Sequence, residues 1–210
     1  MTDPMVYIVD DDPDMRDSLR WLLKTVGLAT KSFSSATEFV NEFRGDGPAC
    51  LVLDIRMPGI SGLDLFEDLV AGGVRVPVVF ITAYADVPLA VRAMKSGAVE
   101  FLEKPFNGQV LLEKVQRAIR DDADRLAHEV ELDRIRARLE KLTEKEREVL
   151  GMIWDGRPNK EIATRLDLTP RAVELRRASL MRKLGVKSLP DLLRLTIGYA
   201  QALDGSPESA

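Results

Sequence analysis

Cysteine, histidine and long apolar runs are all scarce in this chain of 210 residues, and each scarcity removes a class of protein. The lone cysteine, Cys50, cannot close an internal disulfide, and its place beside Leu51, Val52 and Leu53 marks it as a small buried hydrophobe. The lone histidine, His128, has no second metal-ligand type beside it and reads as an exposed side chain. No apolar stretch approaches the ~18–20 residues that a bilayer span requires, and no basic, cleavable leader precedes the first strand-like run. A cytoplasmic location with no membrane role is the expectation.

What is present is ordinary soluble material. Hydrophobic residues at 45% and charged residues at 30% supply enough apolar surface for packed cores. The length predicts two domains. Cutting at residue 140 exposes an asymmetry hidden in the net charge of −4: residues 1–140 carry 17 Lys and Arg against 24 Asp and Glu, residues 141–210 carry 13 against 10. An acidic part followed by a basic one suits different partners, with nucleic acid the natural one for the second.

The first 120 residues alternate short β-branched runs with longer amphipathic stretches, the pattern of a parallel sheet covered by helices on both faces. Five strands are predicted, near Val6–Val9, Ala29–Phe33, Cys50–Leu53, Val78–Ile81 and Phe101–Glu103, each followed by a helix. Runs one, three and four are continuously apolar and belong at the centre. The expected fold is α/β, a doubly wound five-stranded parallel sheet over 1–120, then a helical linker over 121–141. In the linker Leu132, Ile135, Leu139 and Leu142 form a short heptad-like stripe, read as one solvated helix packing that stripe on its own domain; it has too few heptads for a coiled coil.

An all-α, four-helix domain is expected over 142–204. Thr143 and Glu146 make a capping box ahead of Leu150, Ile153 and Trp154. Gly156, Arg157 and Pro158 stop that helix, Asn159 caps a short second one, and Thr169-Pro170 opens a third. A fourth runs from about Leu189 to Ala202, and residues 205–210 read as a disordered tail.

Chemistry converges at the carboxyl ends of the predicted strands, where open parallel sheets place their ligands. Asp10, Asp11 and Asp12 follow the first strand, Asp54 the third, Thr82 the fourth, and Lys104-Pro105 the fifth. Crowded carboxylates repel one another unless a divalent cation neutralises them, and an all-oxygen ligand set suits Mg²⁺. A metal beside Asp54 makes it a usable nucleophile toward a phosphoryl group. Lys104 supplies a point charge to the phosphoryl oxygens and Thr82 a hydroxyl donor. Asp12, ahead of Pro13, reads as a helix cap rather than a metal ligand.

Through Asp10-Asp11, Asp54 with Met57-Pro58-Gly59, Thr82-Ala83 and Lys104-Pro105, residues 4–120 resemble a receiver domain, and the whole chain resembles the NarL/FixJ class of response regulators, on its FixJ side. The resemblance implies phosphorylation of Asp54 by a sensor histidine kinase. It implies Mg²⁺ held by Asp11, Asp54 and the Arg56 carbonyl, with Asp10 acting through water. It further implies a cis Lys104-Pro105 bond, a switch formed by Thr82 and Phe101, and homodimerisation through the helix over Val87–Lys95.

On a helical wheel of residues 170–184, Val173, Leu180 and Leu184 face a core, while Arg171, Glu174, Leu175, Ala178 and Arg182 face outward. Leu175 among charges is unusual for a solvated face and suits a helix lying in the major groove, where aliphatic side chains meet thymine methyls. Thr143–Ile197 resembles the LuxR-type helix-turn-helix through Leu142-Thr143-Glu144-Lys145-Glu146, Asn159-Lys160-Glu161-Ile162-Ala163 and Lys183-Leu184-Gly185-Val186. Arg176 stands where that family more often carries histidine. Arg177, on the inner side, is expected to snorkel to a phosphate or pair with a carboxylate. The expected DNA-contacting set is Lys160, Thr169, Arg171, Glu174, Leu175, Arg176, Arg177, Ala178, Arg182 and Lys187, with Lys160, Arg171, Arg182 and Lys187 on the backbone.

The expectation is therefore a transcriptional regulator, not a dedicated enzyme, whose partners are a sensor kinase, promoter DNA, a second copy of itself and RNA polymerase. Two rivals stand beside it. One is a DNA-binding regulator that ignores phosphorylation and uses its receiver to dimerise; the other is a phosphatase or phosphotransferase working through a phospho-aspartate.

Overall fold

A computed structural model describes residues 3–84 and 87–204 of the chain. The tail expected over 205–210 lies outside the described residues. The described residues fall into two compact units, Met1–Ala127 and His128–Ala210.

In the first unit, β1 (Met5–Val9), β2 (Ala29–Phe33), β3 (Ala49–Asp54), β4 (Val78–Thr82) and β5 (Glu100–Glu103) alternate with α1 (Pro13–Lys24), α2 (Ala36–Glu42), α3 (Gly62–Ala71), α4 (Val87–Lys95) and α5 (Gly108–Glu140). All neighbouring strands pair in parallel, in the order β2-β1-β3-β4-β5. The order reverses at β1 and β3, which opens a crevice at their carboxyl ends. Alternation along β3 shows why its run had to be continuously apolar. Leu51 and Leu53 enter a core with Phe39, Phe66 and Phe80, whereas Cys50 and Val52 enter the opposite core with Leu19, Leu23, Leu111 and Val115. Burial and the neighbouring Asp122 push the Cys50 thiol pKa up, so it packs as an apolar group.

Several boundaries differ from the sequence reading by a residue, and two of these shifts bear on the site. β3 and β4 each run one residue further and include Asp54 and Thr82, because the ladder continues from Ile55 N–H to the Ile81 carbonyl (3.2 Å) and from Lys104 N–H to the Thr82 carbonyl (2.7 Å). Helix α5 continues for 33 residues through position 120 without interruption. The acidic stretch after Ala118 contains an anchor that composition hides: the buried Asp122 carboxylate accepts from Ala49 N–H at the start of β3 (2.9 Å) and from the Arg125 guanidinium (2.6 Å).

The second unit comprises the end of α5, α6 (Glu144–Trp154), α7 (Asn159–Arg165), α8 (Pro170–Leu184) and α9 (Leu189–Asp204). Its core joins Val149, Leu150, Ile153, Ile162, Val173, Leu180, Leu184 and Leu192, and Leu139 and Leu142 of the expected stripe belong to it. The capping box of Thr143 and Glu146 forms as predicted. The cap predicted at Asn159 does not. Pro158 is the N-cap of α7 without any side-chain bond, and Asn159 turns away to accept from Arg177 (2.7 Å). Among the described residues, no helix is long and apolar enough to cross a membrane.

Candidate functional site

The ladder brings Asp10, Asp54, Thr82 and Lys104 to one edge of the sheet. Asp10, Asp54 and Thr82 are buried, although each stands at or just beyond a strand terminus. The Lys104 ammonium donates to Asp10 Oδ2 (2.8 Å) and Asp54 Oδ1 (2.7 Å), so one cation holds two buried carboxylates. The other Asp10 oxygen accepts from Asp12 N–H (2.9 Å). The Lys104-Pro105 bond is cis.

Burial is the largest influence on Asp54 and raises its pKa; Lys104 and the Arg56 amide pull the other way, and Asp10 adds repulsion. Burial likewise opposes the charge on Lys104, but its bonds to Asp10 and Asp54 outweigh that cost and its pKa rises. The site therefore carries two desolvated carboxylates on one ammonium, an excess of negative charge that favours a further cation.

Among the described residues, no group of three or more Asp, Glu, His or Cys is arranged to enclose an ion unaided. The donor set still fits Mg²⁺, which keeps several waters and needs few protein oxygens. Asp11 is exposed and borders a cleft of about 600 Å³ with Arg56, Met57, Ser61 and Arg92. Asp10, with a protein partner on each oxygen, suits a water-mediated role.

Thr82 Oγ1 accepts from Tyr84 N–H (3.3 Å), a local turn that fixes its hydroxyl. Phe101 is half-buried against the core that contains Phe80. Asp12 caps α1 by accepting from Asp14 N–H (2.9 Å), as its sequence context indicated.

Three contributors escaped the sequence reading. Arg16 donates to the carbonyls of Asp10 (2.7 Å) and Asp11 (3.0 Å), tying the acidic loop to the first turns of α1. The Arg56 guanidinium sits over the Tyr84 ring, 4.6 Å from its centroid, and joins the loops after β3 and β4. Gly62 passes so close to β3 that a Cβ there would lie 2.0 Å from the Asp54 carbonyl oxygen. The only advance signal for Gly62 was a glycine directly after Ser61, the N-cap of α3. Gly62→Ala is expected to displace the loop beyond Asp54 and to cost about 2 kcal/mol, read as a lower urea midpoint with slower phosphoryl uptake.

In the second unit, Lys160, Thr169, Arg171, Glu174, Leu175, Ala178, Arg182 and Lys187 are exposed, and Arg176 and Arg177 are half-buried. Thr169 caps α8 by accepting from Ala172 N–H (3.2 Å), followed by Pro170. Arg171 and Glu174 pair with each other at 3.0 Å. Leu175 is 58% exposed, an aliphatic side chain held out among charges. Arg177 donates to the Asn159 carboxamide (2.7 Å) in place of the carboxylate that was one of its two expected partners, and so braces α7 against α8.

Residues 6–116 match the response regulator receiver domain, and residues 140–196 match the bacterial regulatory proteins of the luxR family. Over 197 residues the chain is 43% identical to the transcriptional regulatory protein FixJ of Rhizobium meliloti (strain 1021), covering 94% of this chain and 97% of that one. Among solved structures it is similar to the response regulator StyR, with a TM-score of 0.89 and 40% identity over 94% of this chain and 100% of that one. It is also similar to full-length FixJ from B. japonicum, with a TM-score of 0.58 and 38% identity over 96% and 99%.

Proposed function

Because the chain belongs to the NarL/FixJ class of response regulators, with a receiver domain followed by a LuxR-type domain, we propose that it is a transcriptional regulator whose DNA binding is switched on by phosphorylation of Asp54. The observation that carries this reading is Lys104 bridging Asp10 and Asp54 in a buried site at the reversal point of the sheet.

A sensor histidine kinase is the proposed donor. An Asp54 oxygen attacks phosphorus, the phosphorus–nitrogen bond of the kinase's phosphohistidine breaks, and the imidazole takes up a proton. Lys104 then holds a phosphoryl oxygen where it now holds Asp54, and the Thr82 hydroxyl donates to another. Mg²⁺, held by Asp11, Asp54 and the Arg56 carbonyl with Asp10 through water, would neutralise charge between nucleophile and phosphoryl group. Thr82 and Phe101 transmit the change, and the protein pairs with a second copy. Slow hydrolysis of the phospho-aspartate resets it.

The proposed division is a receiver over 1–120, a linker over 121–141 that lies in α5 up to Glu140, and a DNA-binding domain over 142–204. Promoter DNA is read by α8, with Leu175, Glu174, Arg176 and Ala178 toward base edges. Lys160, Thr169, Arg171, Arg182 and Lys187 face phosphates, and Arg177 supports α8 from behind. Contact with RNA polymerase and action in the cytoplasm follow from the same reading.

Incubation with acetyl phosphate tests the chemistry. One phosphoryl group per chain is expected by intact mass with Mg²⁺ and none with a chelator, and Lys104→Met is expected to slow uptake roughly tenfold or more. No uptake by the wild type would favour the regulator that ignores phosphorylation. Continuous turnover of a small phosphomonoester would favour the phospho-aspartate enzyme.

A further inference from the structure

Neither family match covers residues 117–139. The end of this stretch nevertheless touches the helix assigned to DNA, through a reciprocal arrangement of helix termini. Helix α8 ends in a left-handed Gly185, with Val186 N–H donating to the Met181 carbonyl (3.0 Å) and Gly185 N–H to the Arg182 carbonyl (3.2 Å). That closure leaves the Leu184 carbonyl, which accepts instead from Arg138 Nη1 of α5 (3.4 Å). In return, Lys183 in the last turn of α8 donates to the Lys141 carbonyl just past α5 (3.0 Å), and Arg147 of α6 donates to the Glu140 carbonyl (3.4 Å). Each negative helix end thus receives a cation from a neighbouring helix.

Resting on the DNA-binding reading above, we infer that Arg138 is a positioning residue for DNA recognition: from outside the luxR-family segment, it fixes the carboxyl-terminal seat of α8 and so sets how that helix meets the groove. The contact is local to the second unit, to which α5 belongs from His128 onward and against whose core Leu139 packs. Lys183 is held at its other side by the buried Glu146 (2.7 Å), which also accepts from Ser179 (2.8 Å), so α6 grips α8 through one carboxylate, while the end of α5 meets it through the Lys183–Lys141 contact and through Arg138, the tie supplied by an α5 side chain.

The test uses the full chain and the duplex that the wild type selects from a random-sequence pool, followed by fluorescence anisotropy across a salt series. Arg138→Ala is expected to weaken binding about threefold with an unchanged slope of log affinity against log salt, and Arg138→Lys to recover most of the loss. Hydrogen exchange should rise in the last turn of α8 and stay unchanged in α6. A salt slope reduced by about one would make Arg138 a phosphate contact and overturn the inference. Wild-type affinity in Arg138→Ala, or exchange raised throughout the unit, would overturn it as well. Failure of the wild type to select any duplex would instead sink the DNA-binding reading itself.

Discussion

Asp54→Asn is expected to abolish phosphoryl uptake rather than reduce it, and to leave DNA affinity the same with and without a phosphodonor. The carboxamide oxygen is neither charged nor able to retain a phosphoryl group, whereas the surrounding scaffold keeps its shape. Stability moves the opposite way. Burial raises the Asp54 pKa above its ordinary value, so the ionised carboxylate costs stability at neutral pH, a cost that fades as pH falls through the raised value. The variant removes a desolvated charge beside Asp10 and should melt no lower than wild type, as expected where function and stability compete. Mass spectrometry after acetyl phosphate and a thermal melt measure both halves. A variant that still gains one phosphoryl group would move the nucleophile elsewhere.

Glu146→Ala is expected to destabilise the second unit by about 3 kcal/mol, lowering its midpoint by roughly 15 °C. Glu146 is buried, yet it accepts from Thr143 N–H (2.8 Å), the Thr143 hydroxyl (3.0 Å), Ser179 Oγ (2.8 Å) and Lys183 Nζ (2.7 Å). Burial opposes its charge, but these four donors, Lys183 foremost, hold its pKa at about 2 against an ordinary 4.5. A lowered carboxylate pKa contributes stability that is complete above about 4.5 and lost as pH falls toward 2. The gap in urea midpoint between wild type and Glu146→Gln should therefore be wide at pH 6, narrower at pH 3 and nearly closed below pH 2. A gap that stays constant would show that the charge on Glu146 does not hold α6 to α8.

The residues that carried the sequence reading are those whose signals are local. Three apolar runs named the central strands because a strand covered on both faces cannot alternate, and Thr143 with Glu146 named a helix start because the capping box spans one turn. Asp10, Asp54, Thr82 and Lys104 were legible as a set since strand ends of a parallel sheet converge wherever the helices pack. What the sequence could not show depends on tertiary neighbours. Asp122 reads as one acid among many until Ala49 N–H meets it from 73 residues away. Asn159 has the composition of a cap, but Arg177 competes for its side chain across 18 residues and wins. Beyond being a glycine next to Ser61, Gly62 does not signal its close approach to Asp54, because only the path of the loop creates it.

In the proposed function, phosphoryl capture at one end of β3 changes what the second unit does with DNA. Its most direct test is titration of a selected operator duplex with the full chain, with and without beryllofluoride and Mg²⁺, while light scattering follows molecular mass. The complex is expected to shift the binding curve to lower protein concentration and to double the mass. Superimposed curves at unchanged mass would contradict it.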